Sequence, residues 1–432
     1  MLKLAVIADD LTGANDSGVQ FAKHGLTVHV FLSDSSTGIG NALPDVMILD
    51  TDSRALPSEQ AAARVRATGK IVRSAGPAVP AIFKKIDSTL RGNIGAEIDA
   101  ALAEYGLAWA AVVPAYPQNG RITVGGWHLL RQVPLAESEV ARDPKTPVHE
   151  SVVPRLLSKQ SVNPVAHVDL SDVCRGTDAI SGRIAELRRQ GNRIISFDAS
   201  TATHLQTIVA ALAAAKELPL WVGCAGLAEM IPTVMRWEKQ RRQVAKKTTG
   251  PVLAVAGSVS PVTARQMERF LAGDNARLVS LRAESLLTDE TTELSRCIRE
   301  AKEWLKLGQD VLIASAVDAD AVARACALGT QKGVGRQGVS ERVASALGLI
   351  VQDLIVLPLA GIFLTGGDTA VSVCRALGVE SIDILTEVLP GIPLGQLVGG
   401  DCPGLRVVTK AGAFGDDNAI VEAVKVLKGK GE

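Results

Sequence analysis

Aromatic residues are scarce: Phe, Tyr and Trp make up 3% of the 432 residues, whereas hydrophobic residues make up 47%. The core must therefore be built from Ala, Val, Leu and Ile, as is common in parallel α/β sheets. An excess of charge of one sign is missing too. Lys and Arg number 46, Asp and Glu 46, and the formal net charge is +0. Neither nucleic acid nor a membrane surface is indicated as a partner. Cysteines are few and scattered: Cys174, Cys224, Cys297, Cys326, Cys374 and Cys402 include no Cys-x-x-Cys pair. That argues against a zinc site or a disulfide framework and fits a reducing, cytoplasmic location. Met1 to Ile7 runs straight into an apolar strand with no basic leader, so no signal peptide is expected. No apolar run reaches the roughly 18 residues a membrane helix needs.

Several catalytic signatures are also absent. Gly-x-x-x-x-Gly-Lys-[Ser/Thr], His-Glu-x-x-His and Gly-x-Ser-x-Gly do not occur, which excludes a P-loop and the corresponding hydrolase motifs. Gly333-Val334-Gly335-Arg336-Gln337-Gly338 fits Gly-x-Gly-x-x-Gly. It follows a helix expected over Ala319–Leu328 rather than a strand, so it reads as an interhelical connector. The six histidines stand apart and read as ordinary surface or core residues.

What is present is a recurring unit: an apolar strand, a polar turn and a helix. The chain is expected to form two α/β domains with mainly parallel sheets and an active-site cleft between them. The domains would span residues 1–235 and 251–432, joined by a polar, basic linker over 236–250. The turn after Ala81–Phe83 is the densest in polar groups. It carries Lys84, Lys85, Asp87, Ser88, Thr89, Arg91 and Asn93 before a helix from Ile94. Simple turns need Gly, Pro, Asn or Asp rather than this set, and ligands of α/β proteins bind at strand C-termini. A small anion is the expected ligand.

Other strand ends repeat the pattern. Leu4–Ala8 ends in Asp9-Asp10-Leu11-Thr12-Gly13-Ala14-Asn15, read as an acidic turn before a helix over Val19–His24. Paired carboxylates there can orient a hydroxyl, accept a proton or bind Mg²⁺; the structural alternative is helix capping by Asp9, Thr12 or Asn15. Val46–Leu49 ends in Asp50-Thr51-Asp52-Ser53-Arg54, where Arg54 can clamp a carboxylate or merely pair with Asp50 or Asp52. Trp109–Pro114 leads to Gln118-Asn119-Gly120-Arg121; Arg121 can reach the same pocket, or the Asn-Gly pair simply turns a hairpin. Val133–Val152 reads as a long loop, a candidate lid.

The second domain differs in character. Val252–Ala256 is followed by Gly257-Ser258-Val259-Ser260-Pro261, Gly361–Leu364 by Thr365-Gly366-Gly367-Asp368-Thr369, and Val407–Thr409 by Lys410-Ala411-Gly412. Small residues at strand-to-helix turns let backbone N–H groups approach a phosphate, and Lys410 can act as a point charge. An acid-friendly lobe and a nucleotide-friendly lobe suit phosphoryl transfer, which is mostly positioning and charge neutralisation.

Taken together, Ala8-Asp9-Asp10-Leu11-Thr12-Gly13-Ala14, Lys85-Ile86-Asp87-Ser88-Thr89-Leu90-Arg91-Gly92-Asn93, Gly257-Ser258-Val259-Ser260-Pro261 and Gly366-Gly367-Asp368-Thr369 resemble the four-carbon acid sugar kinase family over nearly the whole chain. The resemblance implies an acid-sugar-binding N-terminal domain, a nucleotide-binding C-terminal domain, and ATP-dependent phosphorylation of a four-carbon sugar acid at its terminal hydroxyl. Its threonate kinases are more similar at Asp50-Thr51-Asp52-Ser53-Arg54 and Lys85-Ile86-Asp87-Ser88-Thr89-Leu90-Arg91 than the 3-oxo-tetronate branch, whose Phe-Asp-Ser-Thr-Pro-like run is not found here. D-threonate is therefore the expected substrate, with D-erythronate, L-threonate and 3-oxo-tetronate open. On this reading Arg54 and Lys85 hold the carboxylate. Asp9, Asp10, Asp87, Ser88, Arg91 and Arg121 complete the substrate site, and Asp10 or Asp87 accepts the proton. Ser258, Gly366, Gly367, Asp368, Thr369, Lys410 and Gly412 cradle ATP with Mg²⁺ on its phosphates. No metal ligand is assigned, and a homo-oligomer stays open. Two rival classes are a nicotinamide-dependent dehydrogenase, which lacks its fingerprint here, and a non-catalytic two-lobed binding protein, which needs neither paired acids nor a Gly-rich lobe.

Overall fold

The computed structural model describes residues 2–32, 43–76, 81–143, 145–237, 239–240, 249–257, 260–315, 319–412 and 414–430. The chain packs as two units, Met1–Arg241 and Arg242–Glu432, each α/β. Part of the expected linker, including 241–248, lies outside the described residues. Its described start belongs to the first unit, where the Lys239 ammonium meets both Asp45 oxygens at 2.8 Å.

In the first unit the strands are β1 (Leu4–Ala8), β2 (Val28–Phe31), β3 (Val46–Asp50), β4 (Ile82–Lys85) and β5 (Ala110–Val113). A small antiparallel sheet follows, β6 (Arg121–Val124), β7 (Trp127–Leu130) and β8 (Val133–Pro134). Then come β9 (Val165–Val168), β10 (Ile194–Phe197) and β11 (Leu220–Gly223). The main sheet is parallel throughout, in the order β2-β3-β1-β4-β11-β5-β10-β9. β1, β3 and β4 are buried along their whole length, which is why they read as continuous apolar runs rather than alternating ones. Phe83 and Trp221 are among the largest side chains wholly inside; burying each stabilises by about 1.5–3 kcal/mol.

The chain goes from β1 out to β2, returns through β3 to the flank of β1, then restarts on the other side of β1 with β4. That reversal at β1 is a topological switch point, where open α/β sheets place ligands. Register makes the location definite. Asp50, Ala8, Lys85, Gly223 and Val113 lie in one row across β3, β1, β4, β11 and β5. The turns that follow them therefore emerge side by side.

The second unit repeats the design. Its strands are β12 (Val252–Ala256), β13 (Ala276–Ser280), β14 (Asp310–Ala314), β15 (Gly361–Thr365), β16 (Ser381–Leu389), β17 (Ile392–Val398) and β18 (Arg406–Lys410). β13-β14-β12-β15-β18 run parallel, and β17 is antiparallel to both β18 and β16. The switch point is at β12, and Ser280, Ala314, Ala256, Thr365 and Lys410 form the row of strand ends.

Several local expectations need correction. The acidic turn after β1 is already helix: it runs Leu11–Ala22, capped by Asp10, whose side chain accepts from the Gly13 N–H. A cap satisfies an orphan donor of the first turn, so the cap residue, not the later apolar periodicity, fixes the start. Lys84 and Lys85 belong to β4, not to its turn. The segment 133–152 is not a plain loop but carries β8 and the 3₁₀ turns Leu135–Glu137 and Glu139–Arg142. Gly335 opens a helix, Gly335–Leu354, directly after the helix Ala319–Gln331. No helix of the described residues is long and apolar enough to cross a membrane.

Candidate active site

In the first unit, the row of strand ends brings Asp9, Asp10, Arg54, Asp87 and Arg91 into one ion-pair chain. Arg54 is its centre. Its Nε and Nη2 reach the two Asp9 oxygens at 2.7 and 3.0 Å, and its Nη1 and Nη2 reach the two Asp10 oxygens at 2.9 and 2.5 Å. Nη1 also lies 3.8 Å from Asp87. Asp87 is in turn clamped by Arg91 through two bonds of 2.9 Å, and accepts from the Thr89 backbone N–H and hydroxyl. The remaining Arg91 nitrogen donates to Asp143 at 3.0 Å, so the segment 133–152, expected as a loop and candidate lid, meets the site.

Burial alone would raise the Asp87 carboxyl, but Arg91 and Arg54 outweigh it and hold Asp87 well below the usual carboxylate range. Asp9 is likewise penalised by burial yet kept low by Arg54, with Lys84 and Lys85 adding to it. Asp50 behaves oppositely: burial and the repulsion of Asp52, Asp10 and Asp9 push it well up, against one backbone hydrogen bond.

Lys85 is 3% exposed and donates to the Ile86 carbonyl at 3.0 Å. A Cβ at Gly13 would stand 2.7 Å from its Nζ and 2.6 Å from an Asp10 oxygen, so any larger residue there would push these two charged groups aside. Leu90, between Thr89 and Arg91, has φ 61°, a left-handed backbone costly for a non-glycine residue and recurrent at functional turns. Arg121 begins β6; its Nη1 donates to the Asn119 carbonyl, and its buried Nε has no hydrogen-bond partner. Burial pulls its guanidinium pKa down while Asp87 opposes this. Among the described residues no carboxylate pairs with it. Ser88 is fixed by its backbone: its carbonyl lies 2.9 Å from His128 Nε2.

His128 is one residue that sequence reasoning missed. It is wholly buried, with Nδ1 2.9 Å from the Thr123 hydroxyl. A carbonyl can only accept, so Nε2 carries the proton and Nδ1 accepts from Thr123. A neutral imidazole is fully satisfied there, and burial pushes its pKa down to about 4. Asp143 and the buried pair Lys84–Glu97 were missed as well. The signal for the latter was strand alternation: neighbours in β4 point to opposite faces, so Lys84 and Lys85 cannot both face the turn.

In the second unit, Ser258 lies outside the described residues. The other expected nucleotide residues converge. Gly366 has φ 103° and precedes the helix Gly367–Ala376, which places Asp368 in its first turn and buries Thr369. A Cβ at Gly257 would lie 2.1 Å from the Thr369 hydroxyl. Lys410 is 2% exposed, yet among the described residues the hydrogen bonds of its Nζ go to neutral acceptors: the carbonyls of Ala411 (2.8 Å) and Gly412 (3.1 Å) and the Thr263 hydroxyl (3.5 Å). Burial lowers its pKa to about 8. The buried Thr365 hydroxyl has no hydrogen-bond partner. A desolvated cation, an orphaned hydroxyl and a helix N-terminus without side chains in the way fit a phosphate chain.

A model of a sugar-binding N-terminal domain matches residues 4–231, and a model of a nucleotide-binding C-terminal domain matches residues 253–420. Relatives are similar over nearly their full length. A D-threonate kinase of Salmonella typhimurium is 38% identical, covering 99% of both chains. A D-erythronate kinase of Heliobacterium modesticaldum is 32% identical over 99% of this chain and 97% of its own. A 3-oxo-tetronate kinase of Pseudomonas savastanoi is 30% identical over the same shares, 99% and 97%. Among solved structures, a Salmonella typhimurium LT2 protein superposes with a TM-score of 0.83 over 98% of this chain and 99% of its own, at 24% identity. A Haemophilus influenzae protein does so with 0.77 over 97% and 98%, also at 24% identity. These two support the fold.

His128 gives the site an acid sensitivity. Its folded pKa lies below the ordinary 6.5, so its contribution is complete above about pH 6.5 and is lost as pH falls toward 4. At ~1.4 kcal/mol per unit the loss is about 3 kcal/mol. Melting curves against pH check this: His128→Gln should flatten the decline between pH 6.5 and 4, and an unchanged decline contradicts the assignment.

Proposed function

The chain belongs to the four-carbon acid sugar kinase family, and we propose that it phosphorylates the terminal (4-) hydroxyl of D-threonate, giving 4-phospho-D-threonate and ADP. The protein is an ATP-dependent kinase of this family; the choice of D-threonate rests on the full-length 38% identity to a D-threonate kinase. The first unit would bind the acid and the second the nucleotide.

Roles follow from which donors are already engaged. Four donor contacts of Arg54 go to Asp9 and Asp10. A bidentate grip on a substrate carboxylate would have to break them. In our reading Arg54 therefore sets the two aspartates, while Lys85 and Arg121 take the carboxylate; the buried, unpartnered Arg121 Nε supports this. Ser88 and Arg91 line the hydroxyls. Both candidate proton acceptors have both oxygens engaged, Asp87 by Arg91 and Thr89 and Asp10 by Arg54 and the Gly13 N–H, but the Asp10 side chain is 25% exposed against 11% for Asp87. Asp10 thus has the more accessible lone pairs and is the preferred base. Because the transition state of phosphoryl transfer is loose, the base needs position more than high basicity.

Gly366, Gly367, Asp368, Thr369, Lys410 and Gly412 would hold ATP together with Ser258, which follows Gly257 in sequence. Lys410 would neutralise charge that develops on the phosphates. Mg²⁺ would ride on the phosphates rather than in a protein cage. Among the described residues, the one group with ligand spacing is His167, Asp169 and Asp198. Asp198 is already occupied by the N–H groups of Gly125, Gly126 and Leu170.

Three outcomes are expected. ADP release over a panel of D- and L-threonate, D-erythronate and 3-oxo-tetronate should respond most strongly to D-threonate; a stronger response to another acid moves the substrate, and silence toward all of them contradicts the reading. Asp10→Asn should lower kcat by about 10²–10⁴ while ATP affinity is kept, and near-normal turnover removes Asp10 as the base. Lys410 favours phosphate only when protonated, so ATP affinity should fall as pH rises through about 8. Lys410→Met should weaken binding and abolish that step; a pH profile shared by both proteins contradicts the role.

A further inference from the structure

Beneath the first-unit site lies an ion pair that touches no substrate position. Lys84 is 0% exposed and Glu97 1%, with Nζ 2.7 Å from Oε2. The Lys84 ammonium also donates to the carbonyls of Ile7 (3.2 Å) and Lys85 (2.9 Å), so its three donors are engaged. The second Glu97 oxygen accepts from the Ser53 hydroxyl at 2.7 Å. Ser53 Oγ is 2.7 Å from Thr51 Oγ1, which reaches the Ala8 carbonyl at 2.7 Å.

Each contact lands one or two positions from a site residue. Ile7 and Ala8 end the strand before Asp9 and Asp10. Ser53 precedes Arg54. The Lys85 carbonyl lies two residues before Asp87, and Glu97 sits on the helix Ile94–Glu104 that the Asp87–Asn93 turn opens into. A pair placed for stability alone has no need of this arrangement: replacing a buried ion pair by apolar residues of similar volume is often neutral or stabilising. Without the pair, the Thr51–Arg54 turn keeps the bonds of the Ser53 and Arg54 N–H groups to the Asp9 carbonyl (2.9 and 3.2 Å) and those of the Arg54 side chain to Asp9 and Asp10, but loses the tie from Ser53 to the helix that carries Glu97.

We infer that Lys84 and Glu97 are positioning residues of the acid-sugar site, a brace that fixes the ends of β1, β3 and β4 against the following helix and so sets the distance between Arg54 and Asp87. The inference rests on the reading of this cluster as the acid-binding site. Misplacing a catalytic group by about 1 Å can cost on the order of 10²-fold in rate.

The test uses the full chain. Lys84→Met combined with Glu97→Met removes both charges and leaves no buried ion behind; it should fold with a melting temperature near that of the parent. Its kcat/KM for the sugar acid should fall about 10- to 100-fold, with KM for ATP unchanged. Ser53→Ala, which cuts the link to Arg54 without touching a charge, should reproduce part of that loss. Folded variants with kcat/KM for the acid within about twofold of the parent would overturn the brace. A parent silent toward four-carbon acids overturns the kinase reading instead. Amide exchange at Ser53 and Arg54 then still decides the inference: at least about tenfold faster exchange in the double variant supports it, and unchanged protection refutes it.

Discussion

The first unit depends on one guanidinium held among three carboxylates. Arg54 meets Asp9 and Asp10 through hydrogen bonds and Asp87 at 3.8 Å. Asp9 and Asp10 follow β1, Asp87 follows β4 and Arg54 itself follows β3, so the arrangement exists only because β3, β1 and β4 are adjacent and in register. Without Arg54, three acids would crowd a poorly solvated corner and repel one another. With it, two of them are kept ionised at neutral pH by a partner that never loses its proton. Arg91 repeats the device one step out, and Asp143 closes the chain of charges.

The second unit solves the opposite problem with the same topology. A switch point at β12 again gathers strand ends, but these are stripped of side chains, so that backbone can approach a ligand closely. A buried charge there is Lys410, whose hydrogen bonds among the described residues go to carbonyls and a hydroxyl rather than to carboxylates. An internally neutralised pocket suits a substrate that brings one carboxylate and several hydroxyls. An uncompensated cation suits a phosphate chain with several negative charges.

Much of this was legible in the sequence, for a definite reason. Strand C-termini in a parallel sheet lie along one edge, so polar turns after apolar runs emerge on the same side and meet where their strands are neighbours. Asp9, Asp10, Arg54, Asp87 and Arg91 could be grouped on that basis, and so could Gly366, Gly367, Lys410 and Gly412. What could not be read was who pairs with whom. Arg54 looked like a free clamp for a carboxylate and is engaged by two aspartates. Lys84 looked like a neighbour of Lys85 and lies on the opposite face with Glu97. His128 carries no local signal at all: its partner, the Ser88 carbonyl, is 40 residues away. The helix after β1 was placed too late because its cap, Asp10, is also a site residue, and its first turns carry Gly13 and polar groups instead of an apolar stripe. The antiparallel pair of β16 and β17 within a mostly parallel sheet was not anticipated.

The claim that Arg54 organises the aspartates rather than gripping the substrate can be tested directly. The kcat/KM of Arg54→Gln should be measured for D-threonate and for the uncharged four-carbon polyol of the same stereochemistry, each relative to the parent enzyme. If Arg54 acts through Asp9 and Asp10, both substrates lose by the same factor, because the hydroxyl-orienting acids are disturbed for either. A loss confined to D-threonate, with the polyol untouched, would mean that Arg54 binds the carboxylate itself and would contradict the account.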